Sequence, residues 1–86
     1  MIVNVHVKEL EFGIETGDST QRLRWLANVG VFRYEWEMKM KVSPPKLIRL
    51  ENGAFLNPDH IIKNCLAEKQ HIWVILSDEY DPKMLE

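Results

Sequence analysis

Three histidines and one cysteine are the side chains of this 86-residue chain that are best suited to metal binding or nucleophilic chemistry. His6 and His71 lie in segments that alternate apolar and polar residues, a pattern typical of half-buried strands. If these strands pair, the two imidazoles project from one face, where they could bind zinc. A zinc site needs three or four ligands, and the sequence places no cysteine or carboxylate clearly beside them. We therefore expect no metal site and no cofactor.

Cys65 and His60 form the closest combination of a thiol and an imidazole along the chain. A spacing of five residues does not place two side chains well on one helical face, and Cys65 shares its side with Ile61, Ile62 and Leu66. We interpret Cys65 as a buried structural thiol. The sequence also lacks a Gly-rich phosphate loop, a nucleotide fingerprint and a nucleophile elbow. We expect the protein not to be an enzyme.

The composition predicts one small domain with a single core. Apolar residues make up 45% of the chain and include three Trp and three Phe, which is enough for a core without metal or disulfide. One cysteine cannot form an internal disulfide, which fits a cytosolic location, with the nucleus as an alternative. No apolar run is long enough to span a membrane. The net charge of −2 argues against nucleic-acid binding, and we expect a monomer.

The main helix is predicted over Asp18 to Asn28. Asp18 is a good N-cap, and Gln21 stands three residues later, as in a capping box. Gly30 follows as a natural helix stop. One apolar stripe of the helix needs a sheet to lie on. It consists of Leu23, Leu26, Ala27 and Gly30.

The segment from Phe32 to Val42 has two interpretations. Apolar residues occupy every second position and charged residues the gaps, which favours a long strand from about Tyr34. Alternatively, the helix continues to about Met38, which extends the first stripe. That helix would leave a second apolar side uncovered and would need a second partner. Its exposed members would be Trp25, Val29, Phe32 and Trp36. We favour the strand, which needs no such partner.

The remaining strands are predicted from alternation and turn signals. Met1 to Lys8 and Leu10 to Thr16 alternate and are separated by one or two residues, which predicts a tight antiparallel hairpin. Lys46 to Glu51 and Ala54 to Leu56 flank Asn52-Gly53, a strong hairpin signal. His71 to Ser77 is the closing strand.

The connections and the C-terminal segment complete the prediction. Ser43-Pro44-Pro45 stops the element that precedes it, because proline cannot donate to a strand ladder. Asn57-Pro58 begins a second helix of two to three turns. We place the domain at residues 1–77 and interpret residues 78–86 as a flexible acidic tail or the start of a linker.

This order of elements resembles the β-grasp fold of the ubiquitin-like superfamily. The resemblance rests on MIVNVHV as first strand, GDSTQRL at the helix start, VSPPKLI at the double-proline turn, LENGAFLNPD at the small hairpin and HIWVIL as closing strand. It implies an α+β fold, in which a mixed sheet packs on one main helix and a second short helix follows. The segment before the double proline is longer than in ubiquitin, and no Gly-Gly follows HIWVIL. The resemblance is therefore to non-conjugated ubiquitin-like domains, which are not attached to lysines through a C-terminal glycine.

Ubiquitin-like folds mostly bind partners through an apolar patch on the open face of the sheet. Carried over to this chain, the resemblance implies that the partner-binding residues are Leu10, Ile48, Trp73 and Ile75. The two-residue period of a strand supports Trp73 and Ile75, which face away from the helix if their neighbours face it. Those neighbours are Ile72, Val74 and Leu76. An outward Trp73 is a common kind of interface anchor; alternatively, the longer segment or the tail covers it.

We therefore expect a non-enzymatic protein-interaction domain that binds a partner protein through the open sheet face. A Ras-association-like domain for small GTPases is one alternative, which Glu11 and Glu15 on the second strand disfavour and Arg22 and Arg24 on the helix favour. A doublecortin-like tubulin-binding domain is another, which the acidic balance disfavours. A further alternative is a structural piece whose aromatics dock within its own parent chain.

Overall fold

A hairpin opens the chain. The computed structural model describes residues 1–85. Strands β1 (Ile2–Val7) and β2 (Leu10–Glu15) pair antiparallel, as predicted, with Val7 opposite Leu10. The two-residue turn between them is possible because Lys8 adopts a left-handed conformation, with φ of 51°.

The other elements complete a five-stranded mixed sheet that packs on one long helix. They are α1 (Leu23–Met38), β3 (Pro45–Leu50), β4 (Phe55–Leu56), α2 (Ile62–Cys65), β5 (His71–Leu76) and a final 3-10 helix (Pro82–Leu85). The strand order is β2-β1-β5-β3-β4, in which β1 and β5 are parallel and the other neighbours antiparallel. This is the predicted α+β, β-grasp arrangement. Within residues 1–85, no helix combines the length and the apolar character that crossing a membrane requires.

The core lies between α1 and the inner face of the sheet. The predicted helix stripe is buried, and so are the alternating residues of β1 and β5. Gly30 lies within α1 against β1. A Cβ atom at this position would lie 2.7 Å from Cγ1 of Val5 and 3.2 Å from Cγ2 of Val7. The prediction that Gly30 ends the helix is therefore wrong; glycine is required there for close packing of helix on sheet.

The prediction of a strand from about Tyr34 is also wrong, because α1 continues to Met38. Val31 and Tyr34 extend the buried stripe, and the hydroxyl of Tyr34 donates to Oε1 of Glu9 at 2.8 Å. The helix ends where Lys39 turns left-handed, with φ of 54°, and its N–H donates to the carbonyl of Glu35. The outer side of this longer helix carries the exposed aromatic residues that the helical interpretation predicted.

The start of α1 differs from the predicted capping box. The helix begins at Leu23, and Arg22 at the N-cap makes no side-chain capping bond. Asp18 instead accepts bonds from the N–H and hydroxyl of Thr20 in the preceding turn. Gln21 does not cap either, since its Oε1 is buried without a hydrogen-bond partner among the described residues.

Backbone carbonyls from a distant loop take over the capping of α1. The N–H of Leu23 donates to the carbonyl of His60 and that of Arg24 to Pro58, both at 2.9 Å. The second helix, α2, that follows this loop has one turn rather than two or three. Cys65, predicted to be buried, is only half-buried and packs against the edge of the core.

The residues after β5 make specific contacts with the sheet. Oε1 of Glu79 accepts a bond from the N–H of Leu76 at 2.9 Å, and the hydroxyl of Ser43 donates to Asp78 at 2.8 Å. Glu79 also lies 3.8 Å from Nζ of Lys8. The boundary at residue 77 stays a prediction, and Glu86 lies outside the described residues.

Candidate functional site

Two of the four predicted partner-binding residues face outward. Trp73 and Ile75 lie on the outer face of β5, half-buried, while their strand neighbours are in the core, as the two-residue period predicts. Ile48 does not join them: it is 1% exposed and lies opposite the inward-facing Val74. Residues paired directly across a sheet share a face, so the placement of Ile48 on the open face is corrected.

Leu10 is the second correction. It lies opposite the buried Val7 and packs against the core on the same side as Phe12 and Ile14. The sheet face that a partner could reach therefore contains Trp73 and Ile75 but neither Leu10 nor Ile48. Leu47, which lies opposite Ile75, belongs to it as well.

A line of directly paired residues crosses the outer face of all five strands. We call it the transverse row, and its members in sheet order are Glu11, His6, Trp73, Arg49 and Phe55. At its centre, the rings of His6 and Trp73 stack with centroids 4.3 Å apart and planes 12° apart. The guanidinium of Arg49 lies 5.0 Å from the Trp73 ring centroid, a cation–π distance. Side chains of the sheet itself thus cover part of Trp73.

One end of the transverse row forms a cluster with His71. Nε2 of His6 lies 2.8 Å from Nδ1 of His71, and Oε1 of Glu11 lies 3.0 Å from the former and 3.2 Å from the latter. Burial lowers the pKa of His6 below its usual value, although Glu11 acts in the opposite direction. The expectation that no carboxylate lies beside the two histidines is therefore wrong. The position of Glu11 could have been predicted from the sequence, because a two-residue turn at Lys8 and Glu9 fixes His6 opposite Glu11.

The outer side of α1 carries the most exposed large apolar side chains among the described residues. Phe32 is 63% and Trp36 73% exposed, and their ring centroids lie 6.5 Å apart in a stacked arrangement. Trp25 lies on the same side, because it precedes Trp36 by about three helical turns, and Met40 follows just beyond the helix end. We call these four residues the aromatic helix surface. The sequence predicts this surface only if residues 32–38 are helical, which is the interpretation that we did not favour.

Two lysines flank the C-terminal half of the aromatic helix surface. Phe32, Trp36 and Met40 line an open groove with Lys39 and Lys41. Glu35 also borders the groove, but its Oε2 accepts a bond from the N–H of Val42 at 2.9 Å. The ammonium of Lys41 lies 4.0 Å from the other Glu35 oxygen while its side chain is 93% exposed. The rim of the groove is therefore apolar, and Lys39, Lys41 and Glu35 together give it a net positive charge.

The two arginines at the start of α1 are engaged within the chain. Both Arg22 and Arg24 pair with the carboxylate of Asp59. The hydrogen bond from Arg24 is the main reason that the pKa of Asp59 lies below its usual value. This pairing reduces the charge that the Ras-association-like alternative would use.

Comparison with known proteins identifies the fold. No protein-family model and no curated protein sequence matches the chain. Among solved structures, the chain is similar to one described as "Molecular Mimicry of SUMO promotes DNA repair", with 21% identity, coverage of 88% of this chain and 90% of that chain, and a TM-score of 0.53. At this identity the likeness shows the fold, which is the β-grasp.

Proposed function

We propose that this chain is a non-enzymatic, ubiquitin-like protein-interaction module. Its aromatic helix surface binds a partner segment in which apolar side chains are flanked by acidic ones. The single observation that carries this proposal is the exposure of Phe32 and Trp36, at 63% and 73%. Large apolar side chains that cluster on a surface mark interaction sites, and tryptophan is one of the residues most enriched at interface hot spots.

The flanking charges suggest the chemistry of the partner. Lys39 and Lys41 border the groove that Phe32, Trp36 and Met40 line. An acidic residue next to an apolar anchor on the partner would meet these ammonium groups and increase the association rate. The neighbour described as mimicking SUMO supports a role in protein binding for the same fold.

The same charges argue against a second copy of the chain as the occupant. A two-fold contact presents the same patch from both copies. If the two copies of α1 run parallel in such a contact, Lys39 and Lys41 of one copy lie beside those of the other, where like charges repel. The proposal therefore keeps the protein as a monomer.

The outer sheet face is the second candidate surface. Trp73 and Ile75 face outward there, but both are half-buried, and His6 and Arg49 already contact the Trp73 ring. A partner would gain less newly buried area from Trp73 than from Trp36. Neither a Ras-association-like nor a doublecortin-like role is favoured by the comparison with solved structures.

A peptide-display selection tests the proposal. The parent is the target, and a Phe32→Ala/Trp36→Ala variant is used for counter-selection. We expect enriched peptides to combine apolar with acidic residues, and Lys39→Glu/Lys41→Glu to weaken their binding by roughly tenfold, because the two lost exposed charge contacts together cost about 1.4 kcal/mol. Trp73→Ala is the matched control and should bind these peptides like the parent. Enrichment of basic peptides, peptides that depend on Trp73, or dimerisation of the parent through this surface would each refute the proposal.

A further inference from the structure

Three potential metal ligands lie together at the β2 end of the transverse row, namely its members Glu11 and His6 and, beside them, His71. Glu11 lies directly opposite His6 across β2 and β1, and His71 lies two residues before Trp73 on β5, on the same face and opposite Asn4. The backbone registers of two strand pairs therefore bring the three side chains together. The cluster belongs to the rigid sheet rather than to a loop, and its ligand atoms all lie within 4.8 Å of one another.

Protons alone cannot place a hydrogen bond on all three sides of this cluster. Nε2 of His6, Nδ1 of His71 and Oε1 of Glu11 form a triangle with sides of 2.8, 3.0 and 3.2 Å. Each ring nitrogen either carries one proton or offers one lone pair, and a carboxylate only accepts. With the carboxylate ionised, every assignment of the ring protons therefore leaves at least one side of the triangle without a hydrogen bond, although its two atoms are in close contact.

A divalent cation engages all three atoms at once, because it accepts a lone pair from each of them. Tetrahedral zinc holds nitrogen and oxygen ligands at about 2.0–2.2 Å, which separates ligand atoms by about 3.3–3.5 Å. The triangle needs to widen by only a few tenths of an ångström to reach this geometry. Two imidazoles and one carboxylate also match the donor types that zinc and its neighbours in the first transition row prefer.

We propose that His6, Glu11 and His71 form a binding site for a divalent transition-metal ion, with zinc as the reference ion. His6 binds through Nε2, His71 through Nδ1 and Glu11 through one carboxylate oxygen. The stacked ring of Trp73 orients the His6 imidazole, as outer-shell contacts orient metal ligands. Because the cluster lies on the outer sheet face and supplies three ligands, a fourth position stays open to water or to a ligand from a partner.

Titration of the untagged protein with zinc chloride, followed by calorimetry and thermal melting, tests the site. We expect one zinc ion per chain and a higher melting temperature with zinc than with EDTA, because an ion that binds the folded state stabilises it. Glu11→Gln keeps the size of the side chain but removes its charge, and should weaken binding by roughly tenfold or more, because even the loss of an outer-shell partner has an effect of this size. His71→Ala should do the same. Their melting temperatures in EDTA establish that both variants fold.

The third histidine provides the matched control. His60 lies with Asp59 and Cys65 around a separate shallow groove, so His60→Ala should bind zinc like the parent. In spectra of the tryptophan indole N–H groups, zinc should shift the signal of Trp73 and leave that of Trp36 unchanged. The proposal is overturned if the parent shows no saturable binding up to millimolar zinc, if Glu11→Gln and His71→Ala bind like the parent, or if His60→Ala abolishes binding.

Discussion

Phe32 and Trp36 lie one turn apart on α1, with ring centroids separated by 6.5 Å, and both rings face away from the sheet that the helix covers. Their burial contributes little to the folded domain, because most of each side chain is exposed. The stability of the fold comes instead from the opposite side of the same helix, where Leu23 and Leu26 are fully buried. One side of α1 thus stabilises the fold, whereas the opposite side, the aromatic helix surface, stays exposed.

Truncating the exposed rings of the aromatic helix surface should leave the stability of the protein nearly unchanged. For Phe32→Ala and Trp36→Ala we expect the free energy of unfolding to change by less than about 0.5 kcal/mol each, as for ordinary surface substitutions. Urea unfolding measures this directly. Leu26→Ala is the matched control, with an expected loss of about 2–4 kcal/mol. A loss of that size in Trp36→Ala would mean that its ring is part of the core.

Adding one methyl group at Gly30 should destabilise the protein. In a helix interior, alanine is more favourable than glycine by about 1 kcal/mol. Its Cβ would lie 2.7 Å from Cγ1 of Val5, however, and overpacking of this kind costs about 1–3 kcal/mol. We expect Gly30→Ala to lower the free energy of unfolding and the exposed Asn28→Ala on the same helix to raise it slightly or leave it unchanged. Equal effects of the two substitutions would contradict the close helix–sheet packing.

The two faces of β3 should respond differently to truncation. Ile48 is 1% exposed and lies opposite Val74, whereas Leu47 lies opposite the outward Ile75. We expect Ile48→Ala to cost about 2–4 kcal/mol and Leu47→Ala clearly less, measured by thermal or urea unfolding. If Leu47→Ala were the more damaging of the two, the register of β3 on β5 would be wrong.

Stability should decrease in acid partly through Asp59. The hydrogen bond from Arg24 holds the pKa of this carboxyl below its usual value of 3.8. A pKa that is lower in the folded state stabilises the protein above the unfolded pKa, and the contribution is lost as the pH falls through the folded pKa. Melting temperatures of the parent and Asp59→Asn, measured from neutral pH to below pH 4, should therefore converge at low pH. A constant difference between them would exclude a contribution from this ionisation.

The alternating strands and the buried helix stripe could be predicted from the sequence, because each pattern has one period. Residues 32–40 could not be assigned in the same way. Their apolar positions recur every second residue, yet Val31 and Tyr34 also continue the helical stripe from Ala27 and Gly30. Both periods fit so short a segment, and tertiary packing decides between them.

The start of α1 and the candidate sites could not be predicted in the same way, because they depend on contacts between residues that are distant in sequence. The carbonyls of Pro58 and His60 cap the helix from a distant loop, so no local cap was needed. The inward position of Ile48 follows from its pairing with Val74, which the ambiguous β3 sequence leaves open. The pairing of His6 with Glu11, in contrast, follows from the length of the first turn and was within reach of the sequence.

The three tryptophans offer the most direct test of the proposed function, because their indole N–H signals report on both candidate surfaces at once. Trp25 and Trp36 lie on the outer side of α1, and Trp73 lies on the outer sheet face. In a nitrogen–proton spectrum, titration with an acidic amphipathic peptide from the display selection should shift the Trp36 signal most and leave Trp73 in place. A shift confined to Trp73 would contradict binding at the aromatic helix surface.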